Sequence, residues 1–399
     1  MMVRFVPVAW VRPMSVPLVL PRQIRIGGGA LADLPGLLAS YDIAHPLIVT
    51  DPFMRQSGLL DRLTGLLDGA SIPWEVFADT VPDPTTEVIE AGARLLAQGG
   101  HDGLVALGGG SPIDTAKAMA VLAANGGRMR DYKVPNPVPT AGLPLIAIPT
   151  TAGTGSEVTR FTVVTDTETD EKMLIAAPHI QPVAALVDYE LTLSAPRRLT
   201  ADTGIDALTH AIEAYVSRKA NPFSDALAIS AMKLIWTQIR TAVAEPDNRT
   251  AREAMMTGAT HAGMAFSNAS VALVHGMSRP IGAFFHVPHG LSNAMLLPEI
   301  TAFSAPAALE RYAQCAHAMG LSDPAEGAQS AVAALIDALR RLNQDLEVPT
   351  PRDYGIDQAR YLELIPTMAQ QALASGSPGN NPRVPTIEEI VFLYERCYG

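Results

Sequence analysis

A chain of 399 residues is longer than one hydrophobic core usually fills, so two domains are expected. Hydrophobic residues make up 48% of it and charged ones only 17%, which excludes an extended, highly charged chain. A formal net charge of −11 excludes a broad basic surface for nucleic acid or an anionic membrane.

The first twenty residues are apolar, but Pro7, Pro13 and Pro17 interrupt them and no small-residue cleavage site follows. Residues 1–20 therefore read as a strand-like arm rather than a signal peptide. No later run reaches about 18 apolar residues, so no membrane-spanning segment is expected. Cys315 and Cys397 form no redox, disulfide-framework or metal-ligand spacing, which fits a reducing cytoplasm.

From Ile24 to about Ala195 short apolar runs alternate with helical stretches. Gly27-Gly28-Gly29 reads as a turn before a helix. Leu47–Thr50, Trp74–Phe77, Leu104–Leu107 and Leu145–Ile148 read as strands. Leu59–Leu67, Thr86–Gln98 and Pro112–Ala124 carry apolar residues at helical spacing. This alternation predicts a parallel sheet covered by helices, with ligands beyond the carboxyl ends of its strands.

The loops after those strands are informative. Thr50-Asp51 puts a carboxylate where it can accept ribose hydroxyls and disfavour a 2′-phosphate. After Leu107 comes Gly108-Gly109-Gly110-Ser111-Pro112-Ile113-Asp114-Thr115-Ala116-Lys117. Its glycines allow close backbone approach, and a helix opening at Ser111 and Pro112 offers unpaired N–H groups to a pyrophosphate. After Ile148 comes a second loop, Pro149-Thr150-Thr151-Ala152-Gly153-Thr154-Gly155-Ser156-Glu157-Val158-Thr159. A glycine cluster by itself is as readily a plain tight turn. The acidic residue here precedes the glycines, the reverse of the usual dinucleotide fingerprint.

Beyond Arg197 helical stretches dominate. Ala201–Glu213 reads as the opening of a helix with Asp206 and His210 on one face. The segment from His275 to His289 holds three of the nine histidines, His275, His286 and His289, among Gly, Pro and aromatic residues. One carboxylate and three imidazoles without a thiolate suit Fe(II), Zn(II) or Mn(II). Read singly, a buried His is a hydrogen-bonded core residue and an Asp–His pair four apart is a local contact. His45, His101, His179 and His317 read as turn or helix-surface residues, and His261 stays open.

The two glycine- and threonine-rich loops, Thr203–Glu213, and His275-Gly276-Met277 followed by Pro288-His289-Gly290 together resemble the iron-containing (group III) alcohol dehydrogenases. The likeness runs from Gly27 to Gly379-Asn380-Asn381-Pro382-Arg383. It implies an α/β N-terminal nucleotide-binding domain over residues 1–195 and an all-α C-terminal metal-binding and substrate domain over 196–399, the dehydroquinate synthase-like architecture. By the same resemblance Asp206, His210, His275 and His289 are metal ligands, with Fe(II) expected and Zn(II) or Mn(II) as alternatives. Gly108, Gly109, Gly110, Ser111 and Asp114 hold the pyrophosphate of NAD(H), and Thr150, Thr151 and Thr154 line the nucleotide further along. Asp51 falls where NAD(H)-preferring members carry an acid, Lys172 matches a lysine near ribose and nicotinamide, and Phe266 matches a pocket residue. The implied activity is hydride transfer between a small alcohol, or its aldehyde or ketone, and the nicotinamide. The implied assembly is a cytoplasmic homodimer.

One position departs from the family. Members such as lactaldehyde reductase carry a second histidine four residues after the third ligand, assigned to proton relay, where this chain has Arg279. Arginine stays protonated and cannot shuttle a proton. Either Arg279 is a structural replacement and protons leave by water, ribose or His286, or it faces the pocket and pairs with an anionic substrate such as a hydroxy acid or semialdehyde. Three other classes are weighed: a dehydroquinate-synthase-type lyase, which needs several basic residues where Arg279 stands essentially alone, a hydroxyacid–oxoacid transhydrogenase, and a non-catalytic scaffold.

Overall fold

The apolar runs of the first half lie side by side in the computed structural model, which describes residues 15–169 and 171–399. Its strands are β1 (Gln23–Ile26), β2 (Pro46–Val49), β3 (Glu75–Phe77), β4 (Gly103–Gly108), β5 (Leu145–Pro149), β6 (Phe161–Asp166), β7 (Glu171–Ala176) and β8 (Ala184–Val187). Six of them form one sheet in the order β1-β8-β5-β4-β2-β3, with every pairing parallel. Around it run α1 (Leu34–Ser40), α2 (Pro52–Gln56), α3 (Leu59–Gly69), α4 (Thr86–Gln98) and α5 (Gly110–Asn125).

Strand alternation divides the core in two. Leu47, Val49, Leu104 and Ala106 pack with Ile89, Ala93 and Ile113 of α4 and α5. Ile48, Val105, Leu107, Ile146 and Ile148 pack with Leu38, Leu63 and Leu67 on the opposite face. Central strands buried on both faces explain why β4 and β5 read as continuous apolar runs.

The expected strands after residue 45 appear with ends shifted by a residue or two, and α4 matches its expected span. Four strands were not expected. β1 and β8 are four residues each, too short and too plain in composition to stand out. The β6–β7 hairpin is antiparallel and separate from the six-stranded sheet. Two helix starts also move: α5 begins at Gly110 rather than Ser111, and the helix expected from Ala201 begins at Arg197, directly after Pro196. His101 is a turn residue but not a surface one, since its ring is buried with its centroid 4.6 Å from that of His45. Most of the expected arm, residues 1–14, lies outside the described residues. Val19 exchanges hydrogen bonds with the Asn268 side chain at 2.8 and 3.2 Å.

The second half is helical: α6 (Arg197–Val216), α7 (Pro222–Ala244), α8 (Arg249–Ala269), α9 (Leu273–Phe285), α10 (His289–Ser304), α11 (Leu309–Ala318), α12 (Ala328–Asp345), α13 (Gln358–Ala374) and α14 (Ile387–Cys397). Capping boxes start α7 at Asn221/Ser224 and α14 at Thr386/Glu389. Small residues let α6, α7 and α8 pack closely; a Cβ on Gly258 would stand 2.7 Å from Ile235. No helix among the described residues is long and apolar enough to cross a membrane.

The sheet meets the helices along the Gly153–Thr159 loop. Glu157 accepts from Thr260 Oγ1 at 2.9 Å, and Val158, Ala185 and Val187 pack on Met256 of α8. Gly155, at φ +64°, crosses Gly263 so closely that a Cβ would lie 2.5 Å from the Gly263 Cα. A side chain there meets backbone, which cannot swing away. Gly155→Ala is therefore expected to cost about 2–4 kcal/mol from the left-handed backbone and the overlap together, measured as a lower midpoint in chemical denaturation.

Candidate active site

The loops at the carboxyl ends of β2, β4 and β5 line a cleft of about 560 Å³ bounded on its far side by α6 and the start of α10. Asp51, Gly109, Gly110, Ser111, Thr150, Thr151 and Thr154 all line it. Gly108, at φ +149°, turns the chain sharply, and a Cβ there would run into the Pro112 ring. Gly109 caps α5 without any side-chain bond, so the first N–H groups of the helix face the cleft unpaired, as an anion site requires. Asp51 caps α2, its Oδ1 accepting from Met54 N at 3.0 Å.

Asp114 has a different part from its neighbours. Its Oδ1 accepts from Ser156 Oγ at 3.0 Å and its Oδ2 from Val163 N at 2.9 Å. Both oxygens are engaged by protein donors, so the carboxylate ties α5 to the threonine loop and to β6. Burial pushes its carboxyl up from the usual range, partly offset by Lys117. Burial likewise lowers the Lys117 ammonium to about 8, against the pull of Asp114 and Glu157. Lys117 donates to Phe161 O at 2.8 Å.

Asp206, His210, His275 and His289 converge on one point, with one ligand atom from each lying within 4.8 Å of all the others. Asp206 and His210 come from adjacent turns of α6, His275 from the first turn of α9, and His289 opens α10. From Asp206 Oδ1 the nearest ring nitrogens are His275 Nε2 at 3.5 Å, His289 Nε2 at 3.8 Å and His210 Nδ1 at 3.9 Å. Tetrahedral donors around an ion with bonds of about 2.0–2.2 Å stand about 3.4 Å apart, so this spacing suits a first-row divalent metal. His210 Nδ1 is buried and has no hydrogen-bond partner. A buried imidazole nitrogen with no protein partner, 3.9 Å from a carboxylate oxygen and beside two more imidazoles, fits the part of a metal ligand.

The electrostatics agree. Burial lowers His210 to about 3 and His289 to about 4, despite the opposing attraction of Asp206. Burial alone would raise the Asp206 carboxyl, but His210, His289 and His275 outweigh it and hold it well below the carboxylate range. At neutral pH His210 and His289 are thus neutral and Asp206 ionised, the states that coordination needs.

Two residues that sequence reading did not assign hold this cluster in place. Glu213, buried in α6, accepts from Ala272 N at 2.9 Å, Val274 N at 2.6 Å and His275 Nδ1 at 2.6 Å. His275 therefore presents Nε2 to the cluster. Burial would lower His275, yet Glu213 and Asp206 prevail and raise it. Asn293, one turn after His289, donates to Asp206 Oδ1 at 2.6 Å. Its amide nitrogen also lies 3.1 Å from His275 Nε2 and 3.3 Å from His289 Nε2. Spacing was the available signal, because Glu213 follows His210 by three and Asn293 follows His289 by four.

A smaller cavity of about 180 Å³ adjoins the cluster, bounded by His210, His275, His289, Phe266 and the hairpin residues Phe161, Val163, Lys172 and Leu174. Phe266 stacks on His210 with centroids 4.2 Å apart. Lys172 is paired with Asp83 at 2.8 Å. Arg279 also lines this cavity, whereas His286, exposed and at φ +54°, lines only the wider cleft. The cleft and the cavity share His289, Gly110, Ser111, Thr154 and Asp83, so the two spaces adjoin.

A cluster of one carboxylate and three imidazoles opening onto the loops at the carboxyl ends of a parallel sheet fits the class of metal-dependent enzymes that bind a nucleotide. Residues 21–189 match the iron-containing alcohol dehydrogenase model, and residues 200–398 match the C-terminal model of that family. The chain belongs to the iron-containing alcohol dehydrogenase family. It is 38% identical to lactaldehyde reductase of Escherichia coli over 388 residues, 96% of this chain and 100% of that one. It is also 38% identical to the NAD-dependent methanol dehydrogenase of Bacillus methanolicus, over 95% of this chain and 98% of that one. The crystal structure of a 1,3-propanediol oxidoreductase superposes with a TM-score of 0.92 at 34% identity, covering 96% of this chain and all of the other.

If Glu213 fixes the His275 ring, Glu213→Gln replaces one acceptor with a donor facing N–H groups. Its affinity for Zn(II) or Fe(II) is expected to fall about 10–100-fold, read by competition with a chromogenic chelator.

Proposed function

We propose that the chain is a metal-dependent NAD(H) alcohol dehydrogenase and aldehyde reductase, moving a hydride between a primary or secondary alcohol, or its carbonyl, and nicotinamide. The observation that carries this reading is the sharing of His289, Gly110 and Ser111 between the cavity at the four-ligand cluster and the wider nucleotide cleft. On this reading Asp206, His210, His275 and His289 hold one divalent metal, Fe(II) by family and donor set, with Zn(II) or Mn(II) accommodated by the same ligands. When bound, the metal supplies Lewis acidity toward the alcohol or carbonyl oxygen, and the nicotinamide accepts or donates the hydride.

The rest is done by the chain. The open first turn of α5 with Gly108–Ser111 receives the pyrophosphate, while Thr150, Thr151 and Thr154 set the depth of the cleft. Asp114 acts indirectly, by fixing that loop against β6. Lys172, held by Asp83, borders the space where nicotinamide and substrate meet. Phe266 and Phe161 make that space apolar and keep water from the reacting carbon. His286, on the exposed rim, is placed to pass a proton from the cleft to solvent. The division at residues 195 and 196 puts nucleotide binding on one side and metal binding on the other.

A dehydroquinate-synthase-type reaction fits less well. Lys172 joins Arg279 in the cavity, one cation more than the sequence suggested, but it is already paired with Asp83. We include in the proposal a cytoplasmic homodimer, for which β1 offers a half-exposed outer strand.

Purified protein supplied with NAD and a simple alcohol is expected to give stoichiometric absorbance at the reduced-nicotinamide wavelength. Asp206→Ala is expected to lose both this activity and its bound metal; full metal content with full activity would refute the assigned centre. Because Asp51 is placed to accept ribose hydroxyls, Asp51→Ser is expected to raise the ratio of NADP to NAD efficiency at least about tenfold, in line with the removal of one repulsive charge. An unchanged ratio counts against its role in cofactor choice.

A further inference from the structure

We propose that Arg279 is an anion-binding subsite, so that the preferred substrates are short-chain hydroxy acids and the matching oxo acids or semialdehydes. The proposal rests on the alcohol dehydrogenase reading above and narrows its substrate class.

Arg279 follows His275 by four residues on α9 and lines the same small cavity as His210, His275 and His289. Its hydrogen bond within the protein is to a neutral group, Ser377 Oγ, at 3.0 Å from Nη1. That hydroxyl is held close because the Ser377–Asn380 turn packs on Gly276, where a Cβ would stand 2.7 Å from Pro378. Among the described residues no carboxylate pairs with Arg279 within 4.0 Å. The acids around it are spoken for. Glu213 accepts from two backbone N–H groups and His275, Asp83 is bonded to Lys172, Asp114 to Ser156 and Val163, and Glu171 to Lys133.

A guanidinium taken largely out of water without a counter-ion is costly. Burial lowers Arg279 to about 10, with Glu213 opposing, so it stays charged at working pH. A substrate carboxylate arriving there supplies the missing partner in the planar, two-pronged geometry that arginine favours. Gly110 and Ser111 border both spaces, whereas Arg279 lines the small cavity and not the wider cleft, which sets it on the substrate side of the glycine loop. One helical turn, about 5.4 Å, separates the ligand His275 from Arg279, which limits the substrate to a few carbons between its hydroxyl and its carboxylate. Val271, Leu174 and Val163 cover the methylenes between them. The reaction itself is unchanged: the C–H bond breaks with its electron pair going to NAD as hydride, the hydroxyl proton goes to solvent, and the carboxylate takes no part.

The test compares 3-hydroxypropanoate and 4-hydroxybutanoate with the neutral 1-butanol and 1-pentanol. The ratio of kcat/KM for acid over alcohol should exceed tenfold in the native protein. In Arg279→Gln it should fall about 100-fold, chiefly through KM, as loss of a charge-assisted contact implies. Arg279→Lys should recover part of it. Calorimetric binding of 4-hydroxybutanoate to the metal-loaded protein, without nucleotide, should weaken in parallel. No preference for acids, or a ratio unchanged by Arg279→Gln, overturns the subsite. Binding that depends on Arg279 in a protein that turns over no substrate with NAD leaves the subsite standing and overturns the dehydrogenase reading instead.

Discussion

The site depends first on a carboxylate that lines neither the cleft nor the cavity. Glu213 is taken out of water and must be repaid in hydrogen bonds, and it collects three: two backbone N–H groups at the start of α9 and the His275 ring. Those two N–H groups belong to the first turn of a helix, where the backbone has no internal partner to offer. One side chain thus satisfies the helix end, docks α9 against α6 and selects the tautomer of His275. Asp206, His210 and Glu213 all project from the same 20-residue helix, so placing α6 places half of the cluster and the support of a third member, His275.

The second constraint is the meeting of sheet and helices. The cleft on the sheet and the Asp206–His cluster on the helices act together only if the two halves of the chain stay in register. The Gly153–Thr159 loop does both jobs at once, with Thr154 facing the cleft and Glu157 bonded to Thr260 of α8. Asp114 and Lys117 support the same loop from beneath. A buried acid and a buried amine are expensive together unless each finds further donors and acceptors, and both do here.

Much of this was legible in the residues, for reasons that can be named. Strands β4 and β5 are buried on both faces and so appear as unbroken apolar text; α4 is bounded by Thr85 and Gly99 and shows its ends plainly. The loop glycines and the Asp206–His210 spacing are local signals, visible without the fold. What escaped was non-local. β1 and β8 are strands because each has the other for a neighbour, 160 residues or so away in sequence. Glu213 looks like any helical glutamate until α9 arrives above it. Asp114 carries the right residue type for a ligand contact, yet its oxygens are claimed by Ser156 and by a strand that sequence reading did not assign.

That strand has a consequence for how such a molecule diversifies. The β6–β7 hairpin lies outside the six-stranded sheet and meets other backbone through single bridges, Thr165 with Thr85 and Ile175 with Lys133. Its residues alternate strictly: Phe161, Val163, Thr165, Lys172 and Leu174 face the cavity, while Thr162, Val164, Met173 and Ile175 are buried behind it. Mutation at Val163, Thr165 or Leu174 can therefore redraw one wall of the chamber without disturbing the residues buried behind it or shifting the register of the six-stranded sheet. The buried seams of α6, α7 and α8, where a methyl group on Gly204 or Gly258 would meet its neighbour, have no such freedom. The shape of the chamber can thus change on this small ribbon while the scaffold stands still.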